Sequence, residues 1–195
     1  MSATEHLSSN QFVEPIHASE ARGNSREVTN AEYQHLAGEG HAYLKDLEAR
    51  PTGTRGLERH WEDIKDQGYK SVQEPWGGTT VKASSGKAVH SRANSYALTA
   101  RQPGQPQITV RPGASREEFG VAMDQARQAY PQLAHRGHHL GVFRDDDEGG
   151  RIDIDPVVIV NSRHKVEQVG AYTRAVGGAY HFRSGNGYFP PHVRD

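Results

Sequence analysis

The sequence predicts an α+β fold, in which helices and antiparallel strands occupy separate stretches of the chain. Three observations lead to this prediction. Apolar residues recur with the helical period in residues 30–68 and again after Ser115. Short β-like stretches divided by glycine and proline fill residues 69–112. In residues 140–193, strand, turn and helix signals follow one another without a gap, which predicts a small ββαββ unit.

The bulk composition indicates one domain with an additional arm. The chain has 195 residues, and its hydrophobic fraction of 34% is too low for the whole length to enter a core. The net charge of -1 argues against a protein that coats nucleic acid, which would carry a basic excess. Without cysteine there is neither a disulfide framework nor a thiolate metal site. No apolar run is long enough for a membrane span and no signal peptide is recognisable, so we expect a soluble, intracellular protein.

The N-terminal third divides into an arm and a helical segment. Residues 1–29 are mostly polar and predict an extended arm. Thr29 and Glu32 have the spacing of a helix capping box, and two helical patterns divided by a Pro-containing turn follow. The predicted organisation is therefore an arm at 1–29, a helical hairpin at 30–68 and an α+β domain at 69–195.

The middle of the chain predicts an antiparallel β-meander followed by a helix. Its short strands are expected at residues 69–76, 79–82, 87–92, 95–99 and 108–111. Ser115 and Glu118 form a second capping box, and apolar residues then recur at helical spacing up to Tyr130. A linker at 131–139 leads to the C-terminal unit.

The C-terminal unit begins with an apolar strand near Leu140 and an acidic, glycine-containing turn. Residues 151–155 alternate between apolar and charged side chains, which predicts a strand with one wet face. Pro156 suggests an edge, a bulge or a break, and the β-branched run at 157–160 is suited to burial on both faces. A helix from about residue 161 and a second hairpin then complete the unit.

Histidines and carboxylates of this region are the candidates for a metal site. His135, His138 and His139 form an H-x-x-H-H group, but it falls on the predicted linker, so a solvated loop is the preferred interpretation. Asp153 and Asp155 point the same way from one predicted strand, as carboxylates in acid–base or metal sites do. A solvent-facing strand explains them equally well and is preferred. We therefore assign no metal and no cofactor.

A catalytic site for phosphate chemistry needs a base, an acid and a cation. His181, His90, Arg174 and Tyr172 supply these residue types. The alternation along 179–182 predicts that His181 faces outward while its aromatic neighbours face the core. Spacing gives no evidence that the four converge, and no phosphate loop or nucleophile elbow is present. An enzyme is therefore the alternative interpretation and not the leading one.

Two stretches carry a resemblance to a known kind of protein. They read GGTTVKASSGKAVHSRANSYALT and, after the predicted helix, HHLGVFRDDDEGGRIDIDPVVIVNSRHKVEQVGAYTRAVGGAYHF. Together they resemble an uncharacterised module found in proteins of bacteriophages and other mobile elements, often in actinobacterial genomes. The resemblance covers roughly residues 70–193. It implies a phage or mobile-element setting but no functional residue, because the module carries no invariant catalytic motif.

The leading hypothesis is a non-enzymatic accessory or structural protein of a phage or mobile element, either a virion component or an adaptor. It would bind a protein or an assembly through the arm and exposed strand edges. Nucleic acid is not the expected partner, an oligomer is compatible with the sequence, and the expected location is the host cytoplasm or the virion. Two alternatives stay open: a small toxin-like nuclease or transferase, and an anti-defence inhibitor that masks a host enzyme.

Overall fold

A computed structural model describes residues 25–50, 54–89, 94–174, 179–182 and 187–193. Within these residues it has four α-helices: α1 (Asn30–Glu48), α2 (Thr54–Ser71), α3 (Arg116–Ala129) and α4 (Arg163–Thr173). The strands are β1 (Glu27–Val28), β2 (Gly78–Lys82), β3 (Tyr96–Thr99), β4 (Ile108–Val110), β5 (His138–Asp145), β6 (Arg151–Val160), β7 (Ala179–His181), β8 (Gly187–Tyr188) and β9 (His192–Val193). The predicted α+β class is confirmed.

Seven of the strands form one antiparallel sheet in the order β2-β5-β6-β3-β7-β8, with β4 also paired to β6. The ten-residue strand β6 is the centre of this sheet. One of its sides pairs with β5, while the other side pairs first with β4, at residues 152–154, and then with β3, at residues 157–160. The predicted order of hairpin, helix and hairpin at the C-terminus is present as β5–β6, α4 and β7–β8.

Pro156 lies inside β6 without breaking it. Its carbonyl accepts a hydrogen bond from the Ala100 amide (2.7 Å), so its backbone groups point toward β3 and β4 and away from β5. The N–H that proline lacks would therefore point into the gap where β6 changes partner, because both backbone groups of one strand residue point the same way. The ladder to β5 loses no hydrogen bond.

All four described helices cover the same face of the sheet. Alternate residues of β6 point to that face, and both hydrophobic clusters lie between this face and the helices. Helices α2 and α3 bury one cluster with β2, β5 and the first half of β6; its members include Leu57, Trp61, Ile64, Phe119, Met123, Leu140, Val142 and Ile154. Helices α1 and α4 bury the other with β3 and the second half of β6; its members include Leu44, Leu98, Val158, Val160, Val166 and Val169.

The predicted helical hairpin contains two real helices, but they do not associate as a hairpin. Helix α1 makes its main contacts with α4, whereas α2 contacts β2 and α3. Gly40 marks the crossing of α1 and α4, because a Cβ at this position would lie 2.1 Å from the carbonyl oxygen of Gln168. The two helices of residues 30–71 therefore cover different parts of one sheet.

The predicted helix starts are also present. Ser115 caps α3 with both halves of a capping box, in which its side chain accepts from the Glu118 amide and the Glu118 carboxylate accepts from the Ser115 amide. Thr29 accepts from the Glu32 amide at the start of α1 (3.2 Å). Local sequence signals therefore fix both starts.

Two predicted elements are wrong, and a third lies partly outside the described residues. The stretch 69–76 continues α2 to Ser71 and then turns, so it is not a strand. The stretch 131–139 is a short 3-10 helix (Pro131–Ala134) followed by the start of β5, so its last two histidines lie on a strand and not on a linker. Of the predicted strand at 87–92, Ala88 forms an isolated bridge with Val81, and residues 90–92 lie outside the described residues.

Residues 1–24 of the predicted arm lie outside the described residues, but its last part is docked on the body. Strand β1 pairs in parallel with β9. The Ser25 hydroxyl donates to the Pro190 carbonyl (2.6 Å), and Arg26 forms ion pairs with Glu32 (2.6 Å) and Glu167 (3.1 Å). The stretch just before α1 is therefore held between α4 and the C-terminal strand. None of the described helices is long and apolar enough to cross a membrane.

Candidate functional site

The face of the sheet opposite the helices is the candidate functional site, and we call it the helix-free face. No described helix covers it, since all four lie on the other side. The strand registers place on it the residues that alternate with the core positions: Thr80, Lys82, Ala97, Thr99, Thr109, His139, Phe143, Asp153, Asp155, Val157, Ile159 and Tyr180.

One end of this face is apolar. Tyr180 is 37% exposed and meets Phe182 edge-to-face, with ring centroids 5.7 Å apart. Ile159, on the same face, is half-buried, as is Phe182. A sheet face that meets only water is normally polar. Apolar side chains left partly exposed in one area are typical of a contact surface.

Gly141 leaves room for an aromatic ring at the centre of the helix-free face. A Cβ at this position would lie 2.6 Å from Cε2 of Phe143 and 2.6 Å from Cγ2 of Val157. The Phe143 ring therefore occupies the space above the glycine and shields Val157, which is only 1% exposed. Phe143 itself stays half-buried, so its outer surface remains available for contact.

Asp155 is the most unusual charged group of the face. It is 7% exposed, and its Oδ1 lies 3.6 Å from Nη1 of Arg101. Neither atom has a hydrogen-bond partner among the described residues. Burial raises the pKa of Asp155 to about 6, because the attraction of Arg101 offsets only part of the lost hydration and Asp153 adds repulsion. The prediction of a solvent-facing carboxylate is therefore wrong for Asp155.

Asp153 lies on the same face but has different partners. Arg151 donates to its two carboxylate oxygens through Nε (3.0 Å) and Nη2 (2.9 Å), and Gln107 donates from 3.2 Å. Asp153 and Asp155 are thus paired with separate arginines.

Tyr130 reaches the point where β6 changes partner. Its hydroxyl donates to the carbonyl of Pro106 (2.9 Å) and approaches that of Ile154 (3.3 Å). Burial, and then the charge of Asp155, raise the pKa of Tyr130 to about 12. Sequence reasoning missed Tyr130 and Arg101 because both are far from Asp155 along the chain and no local spacing connects them.

The histidines of β5 point to opposite faces of the sheet. His138 lies on the helix side, is 2% exposed, and has a pKa lowered to about 4, chiefly by burial. His139 lies on the helix-free face, and burial lowers its pKa to about 4 as well. Successive strand residues cannot converge on one ion. No group of three or more histidine or carboxylate side chains able to hold a metal ion occurs in the described part of the chain.

The predicted catalytic residues are held by different neighbours. His181 is buried, hydrogen-bonds to Oδ1 of Asn94 (2.6 Å) and packs on the ring of Tyr96 (4.6 Å between centroids). The predicted orientation is therefore wrong, since His181 faces the core and Tyr180 faces outward. Tyr172 stacks on His41 (4.7 Å), and Arg174 is an exposed left-handed residue that ends α4. His90 lies outside the described residues.

Comparison of the chain with models of protein families, with curated proteins and with solved structures finds no significant match.

Proposed function

We propose that this chain is a binding protein and not an enzyme, and that another protein docks on the helix-free face. One observation carries the proposal: the described helices all cover one face of the sheet, while the other face keeps apolar side chains partly exposed. A second layer normally covers such a face. A partner that covers Phe143, Ile159 and Tyr180 would supply that layer.

The charges of the face favour a protein partner over a nucleic acid. Arg101 and Arg151 are each paired with a carboxylate of the same face. Nucleic-acid surfaces keep such cations available for phosphates. A face whose two arginines are compensated internally fits the mixed apolar and polar surface of another protein.

The phage or mobile-element setting rests on the sequence resemblance, and within it we propose the role of an accessory component or adaptor. The arm and strand edges were the predicted contacts. The outer edge of β2 is occupied by the chain itself, since Lys82 donates to Lys87 (2.9 Å) and Val89 donates to Thr80 (2.7 Å). A partner strand therefore cannot add to β2, and the contact that we propose is the helix-free face. The nuclease alternative loses support because His181 is buried and hydrogen-bonded.

A photo-reactive amino acid at Tyr180 tests this proposal. In lysate of the source organism, we expect the Tyr180 position to cross-link to a discrete protein. The matched control carries the same group at Gln128, which is exposed on α3 on the helix side of the sheet. Ile159→Glu, added to the Tyr180 version, places a charge in the apolar area and is expected to reduce the cross-link at least tenfold, the effect of losing about 1.4 kcal/mol of binding.

The identity of the cross-linked molecule separates the alternatives. A particle or assembly component supports the accessory role, and a host enzyme supports the inhibitor role. Cross-linking to nucleic acid, or equal cross-linking from both positions, contradicts the proposal. RNA or DNA cleavage by the wild-type chain that is lost in a His181→Ala variant shown to stay folded would instead support the nuclease.

A further inference from the structure

The outer edge of β4 is a second surface with a defined chemistry. Pairing to β6 fixes the direction of its backbone groups. In a strand, the backbone groups of every second residue point to the same side. The Pro156 carbonyl points toward β3, so the backbone groups of Ile152 and Ile154 point to that same side of β6, where β4 lies. Their register partners are Val110 and Ile108, so these two residues use their backbone groups inside the sheet.

Thr109 must then turn its N–H and C=O outward. No hydrogen bond to either group occurs among the described residues, and the side chain is exposed. An outward N–H beside an outward C=O on one residue is complementary to another extended backbone. Unlike the edge of β2, which the chain closes itself, this edge has no partner strand in the described part of the chain.

A groove of about 420 Å³ lies between this edge and α3. Its walls include Thr109, Val110, Val121 and Ala122. Val121 is 54% exposed, more than any other large apolar side chain among the described residues. An exposed valine beside an unpaired β-branched strand is typical of an interface.

A second copy of the same chain fits this surface better than a partner peptide. The edge is only three residues long and offers few backbone hydrogen bonds, each of small net value. A bound peptide would add few contacts beyond these hydrogen bonds, whereas a second copy also contributes its own α3 and Val121 to the interface. Pairing Thr109 with Thr109 of the other copy places Ile108 opposite Val110 and Gln107 opposite Arg111, so no like charges meet.

We propose that two copies associate about a twofold axis through antiparallel pairing of β4 at Thr109, with Val121 of each α3 packed in the joint groove. Each Thr109 would donate to the carbonyl of the other, which is the self-complementary contact that twofold symmetry requires. The nearby charge is compensated, since Glu118 accepts from Arg111 (2.7 Å) in the same copy. The helix-free face stays accessible, so this interface is independent of the proposed function.

Sedimentation velocity of the full chain tests the interface. We expect the mass to rise from 21.5 kDa to twice that value as the concentration increases from about 1 to about 100 µM. Val121→Glu is expected to weaken the association about 30-fold, as loss of a central interface contact does. Gln128→Glu is the matched control: it adds the same charge at an exposed position of α3 outside the groove and should leave the association unchanged.

Thr109→Pro is an independent second variant, because proline removes the outward N–H and leaves the bonds of Ile108 and Val110 to β6. It should also give monomers, and circular dichroism should show that both variants stay folded. A wild-type chain that is monomeric at the highest concentration overturns the proposal. So does a dimer that survives Val121→Glu, or one that is lost on Ile159→Glu on the other surface.

Discussion

Gly40→Ala is expected to destabilise the fold by about 3 kcal/mol, the upper end of the cost of overpacking a core. A Cβ at this position would lie 2.1 Å from the carbonyl oxygen of Gln168 and 2.6 Å from its carbonyl carbon. These are backbone atoms of α4, so no side-chain rotation relieves the clash and the two helices must move apart. Urea unfolding followed by circular dichroism measures the change.

Gly38→Ala is the matched control in the same helix. Gly38 is exposed, and a Cβ there would have nothing within 4 Å. Alanine is the better helix former, so this variant should gain about 1 kcal/mol. Opposite signs for two substitutions two residues apart would establish the close crossing of α1 and α4. A similar small gain at both positions would show that the helices do not meet at Gly40.

Asp155→Asn is expected to stabilise the protein by about 2 kcal/mol at pH 7.5. The pKa of Asp155 rises from 3.8 in the unfolded chain to about 6 in the fold, so the folded state binds its proton more tightly. The stabilisation from the protonated form is present below pH 4 and is lost as the pH rises through 6. Asparagine is neutral throughout, so its advantage should appear above pH 6 and vanish near pH 4. Thermal unfolding at both pH values measures this.

Asp153→Asn serves as the control for that substitution. Asp153 is half-buried and held by Arg151, so the variant should lose an ion pair worth under about 1 kcal/mol and gain nothing at high pH. If Asp155→Asn instead destabilised the fold at pH 7.5, the contact with Arg101 would outweigh the cost of burial. The raised pKa of Asp155 would then be wrong.

A buried carboxylate that lowers stability at neutral pH is the kind of feature that functional surfaces retain. Asp155 lies beside Phe143 and Val157 at the centre of the helix-free face. A partner that donates a hydrogen bond to its carboxylate would recover part of the lost hydration. The stabilised asparagine variant is therefore a useful binding probe, because any loss of affinity could not come from unfolding.

Sequence reasoning succeeded where the signal is local. The capping box of Ser115 and Glu118 lies within four residues, and it fixes the start of α3 without tertiary help. The glycines at 149 and 150 adopt positive φ and close the β5–β6 hairpin in the predicted place. Such features depend on backbone preferences and neighbouring side chains, which the sequence displays directly.

The site was harder to predict because its contacting residues are far apart in the sequence and because a strand pattern does not show which face of the sheet is buried. Alternation correctly grouped His181 apart from Tyr180, but the period of two does not say which face the helices cover. The same ambiguity affected Asp155, whose burial depends on Arg101 and on packing around Gly141. Nothing in the sequence shows that α1 packs on α4 and not on α2.

Hydroxyl-radical footprinting of the unmodified chain, free and bound to the partner that the cross-link identifies, is the direct test of docking on the helix-free face. We expect Tyr180, Phe182 and Phe143 to become protected when the partner binds, while the buried core residue Trp61, at 3% exposure, reacts equally little in both states. Protection confined to the exposed side of α3 around Val121, with Tyr180 as reactive as in the free chain, would contradict docking on that face.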